Sequence, residues 1–164
     1  MVREVYTDIF SIECDVICHQ VNCQKKMGLG LAKEIRKRYP EVYNGYIDFC
    51  EVFEYDGDLL GQCNVVKVNE PDRYGPRYIA NLFGQQYYGT GVLYTEYTAL
   101  EMSFIKLRNW INKNINKEHV ILAVPYKIGC GLAGGDWNTV LNIINNVFED
   151  SHNIEVLICN NIKK

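Results

Sequence analysis

Short apolar runs alternate in this sequence with segments whose apolar residues recur at helical spacing. Val16–Val21, Val120–Val124 and Ile154–Cys159 have the length and composition of buried strands. Tyr94–Asn116 has the repeat of an amphipathic helix, and so does the segment after Asp136. Strands that alternate with helices indicate an α/β fold, so we expect a three-layer αβα sandwich around a mixed, mostly parallel central sheet.

The remaining elements follow from the same patterns, and no repeat or linker interrupts them. The sequence predicts strands over 1–6, Gly61–Val68 and Arg77–Phe83, and helices over Leu29–Tyr39 and Glu41–Glu54. Asp136 has a side chain suited to a helix N-cap. A chain of 164 residues has the usual size of one domain, so we expect residues 1–164 to form a single domain.

Charge and cysteine content limit the functional classes. The formal net charge is −3, whereas duplex binding normally needs a basic excess, so we expect no duplex nucleic acid as a partner. The seven cysteines include no C-x-x-C pair, which favours reduced, buried thiols in a cytoplasmic protein without a metal site. No apolar run has the ~20 residues that span a bilayer, so we expect a soluble protein with no membrane partner. We also expect a monomer.

Two glycine-rich loops each follow an apolar strand and precede a helix. The first runs from Asn22 to Gly30, and the second, Gly129–Gly135, has four glycines in seven residues. Glycines expose backbone N–H groups and a helix N-terminus adds partial positive charge, and both suit a phosphate group. The first loop alone is equally typical of an ordinary connection. Because ligands bind at the carboxyl ends of parallel strands, we expect both loops to face one cleft.

Two polar residues each allow two interpretations. Asp8 follows the first strand, where an aspartate commonly closes a turn but can also accept a hydrogen bond from an exocyclic amine. His19 lies near the end of the Val16–Val21 strand, either as a core residue with a satisfied ring or as a general acid or base beside the first loop.

Four segments in this order resemble the macro domain family over nearly the whole chain. They are Thr7–Phe10, His19–Gln24 with Met27–Lys33, Ile79–Phe83, and Val124–Leu132. The Gly-Cys-Gly-Leu tetrad and the Asn-Cys pair near the first loop bring the resemblance closest to one branch. That branch contains terminal ADP-ribose protein glycohydrolase and the yeast-type ADP-ribose 1″-phosphate phosphatase.

The resemblance implies that the ligand is ADP-ribose or a derivative, with no other cofactor. Asp8 would accept the adenine amino group, Ile9 would donate its backbone N–H to the ring, and Asn160 would lie near the adenosine end. The residues implied at the distal ribose and one phosphate are Asn22, Met27, Gly28, Leu29, Gly30 and Leu31. The residues implied around the diphosphate are Ile128, Gly129, Cys130, Gly131, Leu132 and Ala133.

The chain departs from this branch in residues that the resemblance ties to catalysis. The glycohydrolase lysine at the end of a central strand is absent from Gly84–Gln86, and Ala133 stands where that enzyme has an aspartate. His19 matches a histidine of the phosphatase-like relatives. The first hypothesis is therefore a hydrolase for a small ADP-ribose derivative, such as ADP-ribose 1″-phosphate, in which His19 moves a proton.

Three other functions remain open from the sequence. One is a non-catalytic reader or scavenger of free or protein-linked ADP-ribose, and another is an ADP-ribosyl-protein hydrolase without the lysine mechanism. A single-stranded RNA binder has less support, because the acidic balance lacks the expected electrostatic groove although the chain contains 12 tyrosines.

Overall fold

A computed structural model describes residues 1–162 as six strands, four α-helices and one short 3₁₀ helix. Lys163 and Lys164, which the predicted domain includes, lie outside the described residues. The strands are β1 (Val2–Val5), β2 (Val16–Val21), β3 (Cys63–Lys67), β4 (Tyr78–Phe83), β5 (Val120–Pro125) and β6 (Ile154–Cys159). The α-helices are α1 (Gly30–Arg38), α2 (Pro40–Glu51), α3 (Tyr97–Asn114) and α4 (Trp137–Phe148), and the 3₁₀ helix is Asp56–Leu59.

The six strands form one sheet in the order β1-β6-β5-β2-β4-β3. Every neighbouring pair is parallel except β3 and β4, which are antiparallel. The predicted mixed, mostly parallel sheet is therefore confirmed.

Helices cover both faces of the sheet because its strands are apolar on both sides. Along β2, Val16 and Cys18 pack in a cluster with residues of α3 and α4, whereas Ile17 packs with residues of α1 and α2. Alternate side chains of a strand point to opposite faces, so the sheet lies between two helical layers. Five of the seven cysteines are buried, and all seven are free thiols.

Some element boundaries differ from the predicted ones, for local reasons. The predicted strand at Gly61 begins two residues later, because Gly61 has a φ of +86° and closes a turn. α3 begins at Tyr97 instead of Tyr94, since the N–H groups of Tyr94 and Thr95 donate to the carbonyl of Ala133. α2 begins at Pro40, a residue favoured in the first helical turn, and ends at Glu51 instead of Glu54.

The two ends of the sheet differ in how their loops are bound. At the amino ends of β2 and β5, the Asp15 carboxylate accepts hydrogen bonds from the Lys117 ammonium and the Ile121 N–H, each at 2.8 Å. At the carboxyl ends, β2 leads to the first glycine-rich loop and β5 leads to the second. Among residues 1–162, no helix is both long and apolar enough to cross a membrane.

Candidate functional site: a cleft between two glycine-rich loops

The second glycine-rich loop folds back on itself and leaves backbone donors unused. Its internal hydrogen bonds include Gly134 N–H to Gly131 O at 3.1 Å and Gly135 N–H to Gly129 O at 2.9 Å. Within the described chain, the N–H groups of Gly129, Gly131, Leu132 and Ala133 donate to no protein acceptor. Unpaired N–H groups that face a cavity attract an anion.

Two positions in this loop require glycine. Gly129 has a φ of +72°, and a Cβ there would lie 2.9 Å from the Gln20 Oε1 atom. Gly134 has a φ of +75°, and a Cβ there would lie 2.8 Å from the Val92 carbonyl oxygen. A side chain at either position would strain the backbone and collide with a neighbour, so both glycines fix the path of the loop.

The segment before α3 holds the second loop in place. The Thr95 hydroxyl donates to Gly129 O at 2.6 Å and accepts from Gln20 Nε2 at 2.9 Å. The N–H groups of Tyr94 and Thr95 both donate to Ala133 O, at 2.8 and 3.2 Å. Because Thr95 is buried, it links the end of β2 to the second loop without contact with solvent.

The first loop ends at a helix N-terminus that no side chain caps. Leu29 occupies the N-cap position of α1 without a side-chain hydrogen bond, and the first turn contains no acidic residue. The first N–H groups of any helix lack an intrahelical partner, so those of Gly30, Leu31 and Ala32 are available to a ligand. By contrast, the Asp136 carboxylate caps α4 by accepting from Thr139 N–H at 2.9 Å.

Asn22 uses most of its amide to shape the first loop. Its Oδ1 atom accepts from Gln24 N–H at 2.9 Å and from the Tyr46 hydroxyl at 3.0 Å. Its Nδ2 atom donates to Lys26 O at 2.9 Å. The Tyr46 hydroxyl also donates to Asn22 O at 2.6 Å, and burial raises the pKa of Tyr46. Asn22 therefore leaves at most one N–H for a ligand.

Both loops line one depression, which we call the two-loop cleft. It holds about 330 Å³ between the start of α1 and the second loop. The predicted residues in its wall are His19, Leu29, Gly30, Leu31, Ile128, Gly129, Gly131, Leu132 and Ala133. The expectation that the two glycine-rich loops face the same cleft is confirmed.

A second depression, which we call the Met27 cavity, adjoins the cleft and holds about 240 Å³. The two share Gln20, Leu29, Ala32, Gln85, Leu132 and Ala133. Of the predicted residues, Asn22, Met27 and Gly28 line the Met27 cavity and not the two-loop cleft. Asp8, Ile9, Cys130 and Asn160 line neither depression.

Solved structures with this architecture identify the fold. The macrodomain of Mycobacterium tuberculosis DarG superposes with a TM-score of 0.81 over 98% of this chain and 97% of that one, at 24% identity. Thermosipho africanus DarTG in complex with ADP-ribose gives a TM-score of 0.76 over 99% of this chain and 42% of that one, at 22% identity. This chain has the macrodomain fold. The predicted resemblance to macro domains is confirmed.

Curated proteins similar in sequence to this chain have two names. A DNA ADP-ribosyl glycohydrolase of Mycobacterium tuberculosis is 26% identical over 151 residues, which cover 92% of this chain and 40% of that protein. An ADP-ribose 1″-phosphate phosphatase of Saccharomyces cerevisiae is 35% identical over 48 residues, 29% of this chain and 26% of that one. This chain thus spans less than half the length of these relatives. No family model matches the sequence.

His19 lies in the wall of the two-loop cleft but is almost completely buried, at 1% exposure. Its Nε2 atom lies 2.6 Å from Asn81 Oδ1, and Asn81 Nδ2 donates to Asn64 Oδ1 at 3.0 Å. These two hydrogen bonds place the ring proton on Nε2, so Nδ1 is an acceptor. Nδ1 has no hydrogen-bond partner among the described residues. Burial lowers the pKa of His19 to about 4, although the Asn81 hydrogen bond opposes that shift.

Several residues that line the two depressions were not predicted from the sequence. Gln20 and Gln85 line both depressions, and their side chains are joined by a hydrogen bond of 2.8 Å. Lys26 and Tyr88 line the Met27 cavity. The pair Lys25-Lys26 inside a glycine-rich loop was a readable signal. Nothing local marked Tyr88, because it reaches the cavity from a loop after β4.

Proposed function

We propose that this macrodomain binds ADP-ribose in the two-loop cleft. The diphosphate lies between the N-terminus of α1 and the amides of the second loop. The distal ribose points toward the Met27 cavity, and the adenine points toward Asp8, Ile9 and Asn160. The observation that carries the proposal is the convergence of unpaired backbone N–H groups from two loops on one cleft.

The charges around the two depressions support an anionic ligand. The residues that line them include Lys26 and Lys127 but no aspartate or glutamate. A diphosphate therefore meets donors and positive charge without a carboxylate that would repel it.

Donors and acceptors at the proposed adenine end also fit. Asp8 Oδ1 accepts from Phe10 N–H at 3.0 Å and closes a turn, which leaves Oδ2 for an adenine amino group. The Ile9 N–H has no acceptor within the described chain. Asn160 follows β6, and its N–H donates to Val5 O at 2.8 Å, which ties this end of the site to β1.

Hydrolysis of an ADP-ribose derivative is the second candidate function, and the names of the curated relatives favour it. The lining of the two depressions offers no carboxylate as a general base, and His19 is neutral with Nε2 bound to Asn81. A catalytic role for His19 stays a prediction. The geometry favours a reader of ADP-ribose over a hydrolase that depends on a side-chain acid or base.

Calorimetry and thermal unfolding with ADP-ribose, AMP and NAD test the binding proposal. A ligand at a hundredfold excess over its dissociation constant stabilises a protein by about 2.7 kcal/mol, so ADP-ribose should raise Tm clearly. AMP lacks the diphosphate and should bind far more weakly. A folded protein whose Tm and heat of mixing do not respond to ADP-ribose would refute the proposal.

A product assay separates the reader from the hydrolase. ADP-ribose 1″-phosphate, ADP-ribosylated protein and ADP-ribosylated DNA serve as substrates, and released phosphate or free ADP-ribose is measured. Tight binding without product supports the reader. Turnover that persists in His19→Ala would remove His19 from the mechanism and leave hydrolysis to the bound substrate and the backbone donors.

A further inference from the structure

Six large apolar side chains are exposed at the Met27 cavity and in the segment beside it, and we call them the apolar rim. Leu29, Tyr88 and Leu132 line the cavity itself, and each is at least 50% exposed. The other three are Tyr87, Val92 and Leu93, each 56% exposed. Single exposed apolar residues are ordinary, but a group of them around one cavity indicates a surface that contacts another molecule.

The segment between β4 and α3 holds its rim residues on a fixed backbone. Gln85 Nε2 donates to Tyr87 O at 2.8 Å, and Gln85 pairs with Thr95 in an isolated β-bridge that closes the segment. Val92 lies against the second glycine-rich loop, because its carbonyl oxygen is 2.8 Å from the position that a Cβ on Gly134 would take. The apolar side chains of the segment are therefore held beside that loop and in contact with solvent.

The size of the Met27 cavity leaves a carrier of ADP-ribose outside it. The cavity holds about 240 Å³, whereas pockets for whole ligands hold roughly 300–1,000 Å³, so it accommodates one sugar of a larger molecule. That sugar is the distal ribose in the proposed pose, and its C1″ atom is the point at which ADP-ribose is joined to another molecule. A molecule joined there extends past the exposed residues Leu29, Tyr88 and Leu132.

The chemistry of the rim favours a polypeptide over a nucleic acid. Single-stranded nucleic acids are bound by aromatic side chains in a positively charged groove. Four of the six rim residues are aliphatic, and of the described residues that line the cavity, Lys26 alone is charged. Tyrosines among large apolar residues with few charges are typical of the centre of a protein–protein interface.

We propose that the apolar rim binds the polypeptide that carries ADP-ribose, and that it prefers a modified residue flanked by large apolar side chains. This inference rests on the proposed ADP-ribose site, because that site places the distal ribose next to the rim. The two depressions bind the nucleotide, and the rim selects among modified proteins. Tyr87, Val92 and Leu93 line neither depression, so their side chains serve the carrier and not the nucleotide.

The test compares two peptides that carry ADP-ribose on the central residue through a non-hydrolysable bond. They differ only in the neighbours of that residue, which are leucines in one peptide and glycines in the other. Burial of a leucine side chain corresponds to about ten-fold or more in affinity, so the wild type should bind the leucine peptide at least about ten-fold more tightly. The preference should persist at high ionic strength, because no charge contributes to it.

Rim variants and a matched control show which surface gives the preference. Tyr87→Ser and the double variant Val92→Ser with Leu93→Ser should lose most of it and keep their affinity for free ADP-ribose, which also shows that they fold. Tyr74→Ser is the control, because Tyr74 is also 56% exposed but lies with Asp15 at the amino ends of the strands. Tyr74→Ser should retain both properties.

Each other outcome contradicts the proposal in a distinct way. A wild type that binds both peptides equally, or rim variants that keep the preference, would refute the role of the rim and leave the ADP-ribose site intact. A wild type that does not bind free ADP-ribose would refute both. An ADP-ribosylated single-stranded oligonucleotide that binds as tightly as the leucine peptide would show that the rim serves a nucleic acid. A dimer in sedimentation that the rim variants lose would show that the rim contacts a second copy of the chain.

Discussion

Among single residues, His19 shows how burial and one hydrogen bond set the behaviour of a candidate catalytic group. The ring is shielded from solvent, and Asn81 Oδ1 accepts a hydrogen bond from the Nε2–H group. A neutral imidazole of this kind accepts one further hydrogen bond through Nδ1. The residue is thus suited to orient a donor or a water molecule more than to exchange protons near neutral pH.

The stability of the protein should depend on pH through His19. Its folded pKa of about 4 lies below the unfolded value of 6.5, so the unfolded state binds more protons between these values. Its contribution is complete above pH 6.5 and is lost as the pH falls toward 4, at a rate of up to about 1.4 kcal/mol per pH unit. Denaturant unfolding of the wild type and His19→Gln at several pH values measures this change in the free energy of unfolding. If both proteins lose the same stability between pH 6.5 and 4, the prediction is wrong.

Thr95 should matter for binding although it does not line either depression. In Thr95→Val the Gly129 carbonyl and the Gln20 amide lose their shared partner in a buried site, at a cost of about 1–3 kcal/mol. The second loop should loosen, and ADP-ribose should bind more weakly. Thr95→Ser keeps the hydroxyl and should retain binding. Equal affinities for the valine and serine variants would show that this hydroxyl does not position the loop.

Among the helices, α1 and α4 begin in opposite ways. α4 has an aspartate N-cap, whereas α1 begins without a capping side chain at the edge of the cleft. A helix with open N–H groups is less stable by itself, and a bound anion compensates for the missing cap. Because α2 and α3 also begin without a side-chain cap, it is the position of the open α1 start at the two-loop cleft that points to a ligand.

A carboxylate at the N-cap of α1 should compete with the ligand. Leu29 has the extended backbone of an N-cap residue, so aspartate fits there. Leu29→Asp should raise Tm slightly and bind ADP-ribose at least about ten-fold more weakly than Leu29→Asn, which caps without charge. The two variants match in size, so their difference isolates charge. Undiminished binding by Leu29→Asp would place the diphosphate away from this helix.

Local patterns predicted most of these elements but not their arrangement. The spacing of apolar residues located every strand and α-helix to within a few residues. Asp136 marked the start of α4 because capping is a local interaction. The sheet order and the bonds from His19 to Asn81 and Asn64 join distant parts of the chain. No local pattern encodes such pairs, so the burial of His19 and the place of Tyr88 in the Met27 cavity required the structure.

In the molecule as a whole, the proposed site occupies one end of the sheet and the Asp15 contacts occupy the other. Both ends contain loops between strands and helices, but only the carboxyl ends of β2 and β5 carry the glycine-rich loops. A parallel sheet brings these loops together although about a hundred residues separate them along the chain.

Hydrogen exchange should show that ADP-ribose affects one end of the sheet and not the other. ADP-ribose should slow exchange of the unpaired amides of Gly129, Gly131 and Leu132 and of the first turn of α1. Exchange around Asp15 and Ile121 should be unchanged, which provides an internal control. Uniform slowing across the chain would indicate general stabilisation instead of contact at the two loops, and no change at the loops would argue against the proposed pose.

The position of β6 has a consequence for synthesis. β6 lies between β1 and β5 in the sheet, and Asn160 bonds to β1, so the proposed adenine end combines early and late segments of the chain. On the ribosome, β1 emerges before β6, and it has no sheet neighbour until Ile154–Cys159 has left the exit tunnel. If the proposed adenine end is correct, a nascent chain whose β6 is still inside the ribosome lacks part of the site, so we expect nucleotide binding to begin only after β6 has joined the sheet.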